Sequence, residues 1–486
     1  MEFNTLKQGL NSCLLCHDAL CTKACKNGVD PARIIRALRF ENNLGAALRA
    51  SECCIDCNAP CIDNCVIKGS VEIKNIITDL LKNKSNEKYN NSSLKTDICG
   101  IELENPFILS SSVVSSNYEM IKRAFEMGWA GCSLKTISMI DMEEASPRYN
   151  AIKGNNNFTA FKNIEQLSEK SIDENMEIIT KLKHEFPNKF ILASIMGRDD
   201  NEWAYIAKRC MDAGADALEL NFSCPNMTAE ETGSDIGQVP ALVERYTKAV
   251  TSSVSIPVIA KLTPNVKTMS EAAEAALRGG ALGIAAINTI KSITEDRILE
   301  NITNKDDPKY ISVGGLSGAS VKPIALRFIS ELSHNEKLDN MHISAMGGIY
   351  NYKDALMFLS LGAKSLQITT AVMEYGYRII DDLLEGLSLY LSKNNLQMKD
   401  LYKINNKYVV ETKALKRNFI IYPKINRSTC VSCGRCYISC RDGGHQALEF
   451  IDRKPKLNPN KCVGCHLCVL VCPTSSITPS DKKVSK

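Results

Sequence analysis

Residues 217–226 read ALELNFSCPN, an apolar run that ends in polar side chains and a single cysteine. A short apolar run bounded by turn residues is typical of a buried β-strand. Seven other runs of the same kind lie before and after it along the chain. They are PFILSSS (106–112), AGCSLKT (130–136), FILASIMG (190–197), PVIAKLT (257–263), LGIAAINT (282–289), HISAMGG (342–348) and SLQITTA (365–371).

The order of these eight runs predicts the fold. Each of the first seven is followed, after a connection, by a helix-like segment such as NYEMIKRAFEMG (117–128). Eight strand–helix units at this spacing predict a (β/α)8 TIM barrel over residues 94–395. A doubly wound sheet is the alternative, but no nucleotide fingerprint follows the first strand. The predicted fold class is therefore α/β.

The carboxyl ends of the predicted strands carry polar residues that turn formation does not fully explain. In a (β/α)8 barrel these ends meet on one face, where active sites are built. Ser, Thr, Asn and Gly are also the residues that cap helices and turn the chain. Capping does not account for Lys135 and Lys261, which lie where buried strands end, or for the isolated Cys224. We expect a functional site on this face.

The composition gives no reason to expect a nucleic acid or a membrane as partner. The 486-residue chain has 59 basic and 55 acidic residues and a formal net charge of +4. No run approaches the 18 apolar residues of a membrane span, and the first residues lack the apolar segment of a signal peptide. We expect a cytoplasmic protein, in which clustered cysteines are metal ligands or catalytic groups rather than disulfides.

The last part of the chain, residues 424–486, contains two cysteine runs of the bacterial two-cluster ferredoxin type. Both have the spacing Cys-x2-Cys-x2-Cys-x3-Cys, and only the second ends in the usual Cys-Pro. In such a ferredoxin-like domain the fourth cysteine of each run binds the other cluster. Structural zinc is the alternative, but it favours paired Cys-x-x-Cys units. The spacing predicts one [4Fe–4S] cluster on Cys430, Cys433, Cys436 and Cys472, and another on Cys462, Cys465, Cys468 and Cys440.

The first part of the chain, residues 1–83, also contains two cysteine runs. One carries Cys13, Cys16, Cys21 and Cys25, and the other carries Cys54, Cys57, Cys61 and Cys65. Two [4Fe–4S] clusters would use these thiolates, and two zinc sites are the alternative. Spacing alone does not assign single cysteines to either site, and Cys53 is left over. A polar linker, KSNEKYNNSS at 84–93, separates this helical module from the predicted barrel.

Several segments together resemble dihydropyrimidine dehydrogenase, a flavin and iron–sulfur enzyme that reduces uracil and thymine. Dihydroorotate dehydrogenases share the barrel and the N-x-SCPN motif, but they lack both cysteine-rich parts. The segments that carry the resemblance are ENPF, SLKT, FKNIEQLSE, ASIMG, GADALELNFSCPN, AKLTPNV and GGLSG in the barrel, and CVSCGRCYISCRDGGHQALEF near the C-terminal end.

The resemblance implies that FMN binds at the carboxyl ends of the barrel strands. Glycine pairs and threonines after the seventh and eighth strands suit the usual phosphate site of such barrels. Lysines at strand ends could hold positive charge beside the reduced flavin ring. The residues that match the family's FMN site are Ser111, Lys135, Thr136, Lys261, Gly318, Met346, Gly347, Gly348, Thr369 and Thr370.

The resemblance also implies a small pyrimidine substrate, bound by Asn163, Asn221, Phe222, Ser223, Asn288 and Thr289. A carboxamide presents one acceptor and two donors, which suits the alternating C=O and N–H groups of uracil. Cys224 is expected to give a proton to C5 while C6 receives hydride, and the loop MTAEETGSD (227–235) is a candidate lid. Dihydroorotate oxidation and electron transfer by a non-catalytic subunit are the alternative functions.

The sequence departs from the family pattern in two places. The family has a non-cysteine ligand in its second N-terminal cluster, whereas this chain has extra cysteines at 53 and 54. Full-length relatives also carry FAD and NADPH domains, but no G-x-G-x-x-G segment occurs here, so we expect an FAD- and NAD(P)-binding partner subunit or a ferredoxin in a homo- or hetero-oligomer. The family's interleaved arrangement would place Cys13, Cys16, Cys21 and Cys65 on one cluster, and Cys25, Cys57, Cys61 and either Cys53 or Cys54 on the other.

Overall fold

A computed structural model describes residues 9–82, 93–154, 158–227, 232–294, 297–304 and 309–486. Residues 84–92 of the predicted linker and residues 228–231 of the predicted lid lie outside the described residues. Residues 11–409 form one compact unit, and residues 410–486 belong to a second unit. No helix in the described ranges is long and apolar enough to cross a membrane.

The strands are numbered in chain order. They are β1 (Thr96–Ile98), β2 (Ile101–Leu103), β3 (Phe107–Leu109), β4 (Gly131–Ser133), β5 (Tyr149–Lys153), β6 (Phe158–Asn163), β7 (Phe190–Ile195), β8 (Ala217–Phe222), β9 (Val258–Leu262), β10 (Gly283–Ala286), β11 (Ile290–Ser292), β12 (Gly314–Ser317), β13 (His342–Met346), β14 (Ser365–Ile368), β15 (Phe419–Ile425), β16 (Leu448–Ile451), β17 (Lys454–Leu457) and β18 (Ile477–Ser485).

Eight parallel strands close into a barrel, which confirms the predicted fold. Their order around the barrel is β10, β13, β14, β3, β4, β7, β8 and β9, and β9 pairs with β10 to complete the circle. Each of the eight apolar runs in the sequence contains one of these strands. Every residue of β7, β8 and β9 is buried, as expected for parallel strands covered on both faces. Closure rules out the doubly wound sheet.

Helices surround the barrel and are bounded by local signals in the sequence. Ser171 and Glu174 form a capping box at the start of Ile172–Glu185. The α-helices are Leu20–Lys23, Pro31–Arg39, Asn43–Arg49, Pro60–Asp63, Ile73–Lys82, Tyr118–Glu126, Ile172–Glu185, Asp200–Asp212, Ser234–Gly237, Pro240–Thr251, Ser270–Arg278, Arg297–Thr303, Lys322–His334, Tyr352–Ser360, Thr370–Tyr375, Ile379–Lys393, Met398–Leu401, Arg435–Gly443 and Leu467–Leu470.

A four-stranded antiparallel sheet, which the sequence did not predict, stands beside the barrel. Its order is β11, β12, β6 and β5. The strands β5 and β6 lie between β4 and β7 in the chain, and β11 and β12 lie between β10 and β13. All four therefore belong to connections that leave the carboxyl ends of barrel strands. This sheet adds a wall to the face on which the functional site was predicted.

The N-terminal cysteine-rich module packs against the barrel within the first compact unit. Arg36 binds Asp382 (Nε–Oδ2 2.7 Å), and Arg49 binds Glu385 (Nη2–Oε1 2.6 Å). Both carboxylates belong to Ile379–Lys393, the second helix after the last barrel strand, β14. Burial raises the pKa of Asp382, although Arg36 opposes that effect. The predicted boundary near residue 84 is therefore crossed by charged contacts between module and barrel.

The second unit has the repeated build that its two cysteine runs suggest. β15 pairs with β18, and β16 pairs with β17, in both cases antiparallel. The helices Arg435–Gly443 and Leu467–Leu470 each begin inside a cysteine run. This unit holds all eight cysteines of the predicted ferredoxin-like domain.

Candidate functional site

A solvent-connected cavity lies at the carboxyl ends of the barrel strands, with about 1050 Å³ of empty space including its mouth. Residues following six of the eight barrel strands, together with Lys261 of β9 and the antiparallel sheet, form its walls. Most of the residues predicted to bind cofactor or substrate line it. They are Ser111, Lys135, Thr136, Asn163, Asn221, Cys224, Lys261, Asn288, Thr289, Met346, Gly347, Gly348, Thr369 and Thr370.

One end of the cavity has the build of an anion cradle. Gly347 and Gly348 have φ values of +121° and +79°, which favour glycine. A Cβ on Gly348 would lie 2.9 Å from the carbonyl oxygen of Gly318, so only glycine brings the two backbones this close. Nearby, Ser317 and Thr370 share a hydrogen bond of 2.8 Å between their hydroxyls. Gly318 does not line the cavity itself; its backbone packs against Gly348, which does.

Lys261 is held at the floor of the cavity by a carboxylate that sequence reasoning missed. Its ammonium lies 3.2 Å from Oε1 of Glu219, with side-chain exposures of 3% and 0%. Glu219 also accepts hydrogen bonds from Ser133 (3.1 Å) and Gln367 (2.8 Å). A buried charge is tolerated when it is paired and hydrogen-bonded in this way. The signal in the sequence was a single acidic residue inside the apolar run ALELNF.

Lys135, the other strand-end lysine, forms a short ion pair with Glu165, which sequence reasoning also missed. Glu165 further accepts hydrogen bonds from the Tyr149 hydroxyl (2.8 Å) and from Arg148 (3.2 Å). Burial alone raises the pKa of Glu165, but the hydrogen bonds and charge of Lys135, with Tyr149 and Arg148, outweigh it and leave the pKa below its usual range. Glu165 is therefore ionised at neutral pH.

The three predicted substrate asparagines converge on the cavity from barrel strand β8 (Asn221), from β6 of the antiparallel sheet (Asn163) and from the connection after β10 (Asn288). Asn221 donates to Thr136 Oγ1 at 2.9 Å and accepts from the Ser223 hydroxyl at 2.8 Å. Asn288 donates to the same hydroxyl of Ser223 at 2.8 Å. Asn163, at the end of β6, donates to the carbonyl oxygen of Gly315 at 3.2 Å. Each amide is oriented by the protein and still faces the cavity.

Two of the predicted substrate residues have a different position. Phe222 is fully buried and packs against Trp203, with ring centroids 5.2 Å apart, so its side chain belongs to the core and not to the cavity wall. Ser223 is also fully buried and does not line the cavity. Its hydroxyl joins Asn221 to Asn288, so it supports those two amides from behind.

Cys224 lines the cavity, with 7% of its surface exposed. Its carbonyl oxygen accepts a hydrogen bond from the backbone N–H of Ser234 at 2.9 Å. Gly233, with φ of +55°, makes this contact possible, because a Cβ there would lie 2.4 Å from the same oxygen. Burial raises the pKa of the Cys224 thiol to about 11, against smaller lowering effects from the Asn226 backbone and Lys261. The thiol is therefore protonated at neutral pH.

Comparison with known proteins gives the family. Residues 93–391, which include the whole barrel and its cavity, match the family described as dihydroorotate dehydrogenase. The chain belongs to the dihydroorotate dehydrogenase family. Residues 423–478 also match the 4Fe-4S dicluster domain, so the second unit of this family member is an iron–sulfur domain.

Curated relatives place this family member with the dihydropyrimidine dehydrogenases, as the sequence motifs suggested. It is 46% identical over 362 residues to the NAD-dependent dihydropyrimidine dehydrogenase subunit PreA of Escherichia coli strain K12, covering 74% of this chain and 88% of the relative. It is 32% identical over 318 residues to the chloroplastic dihydropyrimidine dehydrogenase (NADP(+)) of Arabidopsis thaliana, covering 62% and 74%. The chain is thus an oxidoreductase of the dihydropyrimidine dehydrogenase type.

Other members of the dihydroorotate dehydrogenase family are similar over the barrel. The catalytic subunit of dihydroorotate dehydrogenase B (NAD(+)) of Pyrococcus abyssi is 38% identical over 308 residues, covering 62% of this chain and 94% of the relative. A crystal structure of DHODH in complex with ferulenol from Eimeria tenella aligns with a TM-score of 0.54 at 18% identity, covering 65% and 91%. The latter supports the barrel fold alone.

The N-terminal module of this family member gathers its cysteines around two cavities. One cavity is lined by Cys13, Cys16, Cys21 and Cys65. The other is lined by Cys25, Cys54, Cys57 and Cys61, while Cys53 is exposed. Nowhere in the described ranges do three or more His, Cys, Asp or Glu side chains lie close enough to hold a single metal ion. Each cavity brings four thiols together, the number that one [4Fe–4S] cluster or one structural zinc ion takes.

In the second unit, one cysteine of the first run lies among the cysteines of the second run. Cys440, from the first run, lines one cavity together with Cys462, Cys465 and Cys468 from the second run. In the other group, burial raises the pKa of the Cys436 thiol, and the neighbouring thiols of Cys433 and Cys430 add to that effect. Mutually repelling thiolates of this kind are stabilised when they bind iron.

Proposed function

We propose that this chain reduces the 5,6 double bond of uracil or thymine, with electrons reaching the reaction through iron–sulfur clusters and FMN. The observation that carries the proposal is the buried, protonated Cys224 on the wall of a cavity that also holds three oriented asparagines and two lysines. The relatives from Escherichia coli and Arabidopsis thaliana bear the name dihydropyrimidine dehydrogenase, which supports this choice of substrate.

The cavity residues fit a phosphorylated flavin. In our proposal the glycine cradle and the Thr369 and Thr370 hydroxyls bind the phosphate, since backbone N–H groups and hydroxyls suit an anion. Lys135 and Lys261, each kept in position by its carboxylate partner, would supply positive charge to the ring. When bound, FMN supplies hydride chemistry.

The asparagines would bind the substrate through its edge. Uracil is a flat, neutral imide with alternating acceptors and donors, and a carboxamide can form a hydrogen bond with either kind of group. Asn221 and Asn288 are held by Ser223, and Asn163 is held by β12, so the amides lose little freedom when a ring binds. This organisation favours one orientation of the ring in front of Cys224.

Cys224 would complete the reduction. Its S–H bond breaks, the proton goes to C5 of the ring while C6 receives hydride, and the thiolate is later reprotonated from solvent. The high pKa keeps the proton in place until that step, because the thiol does not ionise at neutral pH.

The test is the substitution Cys224→Ala. We expect FMN and iron content to stay unchanged and uracil to bind, while the single-turnover rate at neutral pH falls roughly 10²- to 10⁴-fold, the usual contribution of a general acid. Cys224→Ser should be nearly as slow. The matched control is Cys210→Ala, because Cys210 is a fully buried thiol of a barrel helix that does not line the cavity. A Cys224→Ala rate within a factor of three of wild type would refute the role of this thiol.

Dihydroorotate oxidation is the second candidate, because the dihydroorotate dehydrogenase B subunit of Pyrococcus abyssi is 38% identical over the barrel region. Turnover of uracil, thymine and dihydroorotate by the anaerobically purified protein separates the two candidates. Electron transfer without catalysis is disfavoured by the oriented asparagines and the lysine–carboxylate pairs, which an electron carrier does not need.

The remaining proposals concern the architecture and its partners. We propose a three-part chain, with an iron–sulfur module at 1–83, the catalytic barrel at 94–395 and a two-cluster domain at 424–486. We assign four clusters, two at each end, to the sixteen cysteines that surround the cavities or follow the ferredoxin spacing. A flavoprotein subunit or a ferredoxin would supply electrons, in keeping with the word subunit in the name of the Escherichia coli relative. We also propose a location in the reducing cytoplasm, where cysteines serve as cluster ligands and thiols rather than as disulfides.

A further inference from the structure

The cavity holds two positive charges, and both are already neutralised. Lys261 is paired with Glu219, and Lys135 is paired with Glu165. The side chain of Lys135 is 8% exposed and that of Glu165 is 10% exposed. In the described part of the cavity wall these two lysines are the only cationic side chains. The wall therefore has no cation in reserve for an anionic group on a substrate.

Glu165 is fixed in its place as a carboxylate. The Tyr149 hydroxyl and Arg148 bind one of its oxygens, and Lys135 binds the other. Rotating the carboxylate away from Lys135 would break three polar contacts at once. Glu165 itself lines the cavity, so its negative charge faces any bound ring.

Glu165 also lies next to the groups that would hold and protonate the substrate. The side-chain amide of Asn226 donates to the backbone oxygens of Glu165 and Asn163, at 3.2 Å each. Asn226 follows Cys224 by two residues and lines the same cavity. One amide therefore joins the Cys224 loop, the substrate asparagine and the segment that carries Glu165.

We propose that Glu165 determines substrate specificity by excluding pyrimidines that carry a carboxylate on C6. This inference rests on the proposed function and deepens it. A ring carboxylate would have to displace Glu165 from Lys135 or lie beside it as a like charge in a water-poor site. A neutral ring meets no such repulsion, since its edges can be bound by amides.

The experiment compares three ligands by equilibrium dialysis with the oxidised, FMN-loaded full chain. Uracil is neutral, orotate carries the C6 carboxylate, and the amide of orotate has nearly the same shape as orotate without its charge. We expect orotate to bind at least about 100-fold more weakly than uracil, and the amide to stay within about tenfold of uracil. In Glu165→Gln the unpaired Lys135 can meet the carboxylate, so the ratio of orotate to uracil dissociation constants should fall at least about tenfold.

Glu169→Gln is the matched control. Glu169 binds the same Arg148 at 2.7 Å, but its side chain is 55% exposed and does not line the cavity. Its ratio of orotate to uracil dissociation constants should equal that of wild type. FMN and iron content report whether each variant is folded. If Glu165→Gln loses FMN, the comparison of orotate with its amide in wild type decides the proposal.

Three results would overturn the inference while leaving the proposed function intact. The first is orotate binding within tenfold of uracil in wild type. The second is equal ratios in Glu165→Gln and Glu169→Gln. The third is an amide that binds as weakly as orotate, which would make size and not charge the cause of exclusion. Absence of uracil binding would instead overturn the proposed function, and the specificity inference with it.

Discussion

At the scale of single residues, Cys224 shows what a sequence can predict and what it cannot. Its isolation at the end of an apolar run predicted a reactive group on the carboxyl face of the barrel, and the structure places it on the cavity wall. The sequence offered only the ordinary pKa of a thiol, near 8.5. The value of about 11 comes from burial, which depends on side chains distant in sequence.

The pH dependence of the reaction should reveal this buried thiol. The protonated form is the proton donor, so it is complete below its pKa and is lost as pH rises through it. We expect the single-turnover rate of uracil reduction to stay level past pH 8.5 and to fall only as pH approaches about 11. Cys224→Ser, measured over the same range, should lack this fall. A loss of rate centred near pH 8.5 would show that Cys224 is solvated like a free thiol.

Glu165 and Glu219 mark the limit of residue-level prediction. The role of a single acidic residue can be inferred only when its partner in the folded chain is known. Glu219 meets Lys261 from the adjacent strand, and Glu165 meets Lys135 across 30 positions of the chain. No spacing rule links either pair. The lysines could be predicted as site residues because each lies where a strand ends. Their carboxylate partners could be identified only from the contacts in the folded structure.

At the scale of elements, the barrel strands were predictable and the antiparallel sheet was not. The barrel strands are apolar on both faces and bounded by turn residues, which is a strong signal. In contrast, β11 and β12 have three and four residues, and β12 begins with two glycines. Strands that short, with few β-branched residues, form because β12 pairs with the edge of β6 and β11 then pairs with β12. Asn163 and Tyr149 reach the cavity from this sheet.

The N-terminal module allows a sharp test of cluster ligands. Cys54 is buried and lines a cavity with Cys25, Cys57 and Cys61, whereas its neighbour Cys53 is exposed. We expect about 16 iron atoms per chain in wild type and a loss of about four in Cys54→Ser. Cys53→Ser is the matched control and should retain all of them. Anaerobic iron and sulfide analysis measures this. Equal losses in both variants, or zinc in place of iron, would contradict the assignment.

At the scale of the whole molecule, the barrel could be predicted from the sequence, because its apolar strands and their turn residues are local signals. The sequence could not give the packing of the N-terminal module on the barrel. That packing depends on arginines such as Arg36 and Arg49 meeting carboxylates more than 300 positions away. Such contacts make the module and the barrel a single compact unit.

The sheets of the described residues also bear on the source of electrons. They comprise one closed barrel, one four-stranded antiparallel sheet and three two-stranded sheets, none of which is the parallel, doubly wound sheet that binds dinucleotides. The sequence likewise has no G-x-G-x-x-G segment. We therefore expect the purified chain alone not to couple NADPH or NADH oxidation to uracil reduction, while a chemically reduced viologen dye sustains it through the clusters. The dye reaction is the control that proves the enzyme active. NAD(P)H-dependent reduction of uracil by the single chain, at a rate comparable to that with the dye, would mean that the chain binds the nucleotide itself and needs no partner flavoprotein.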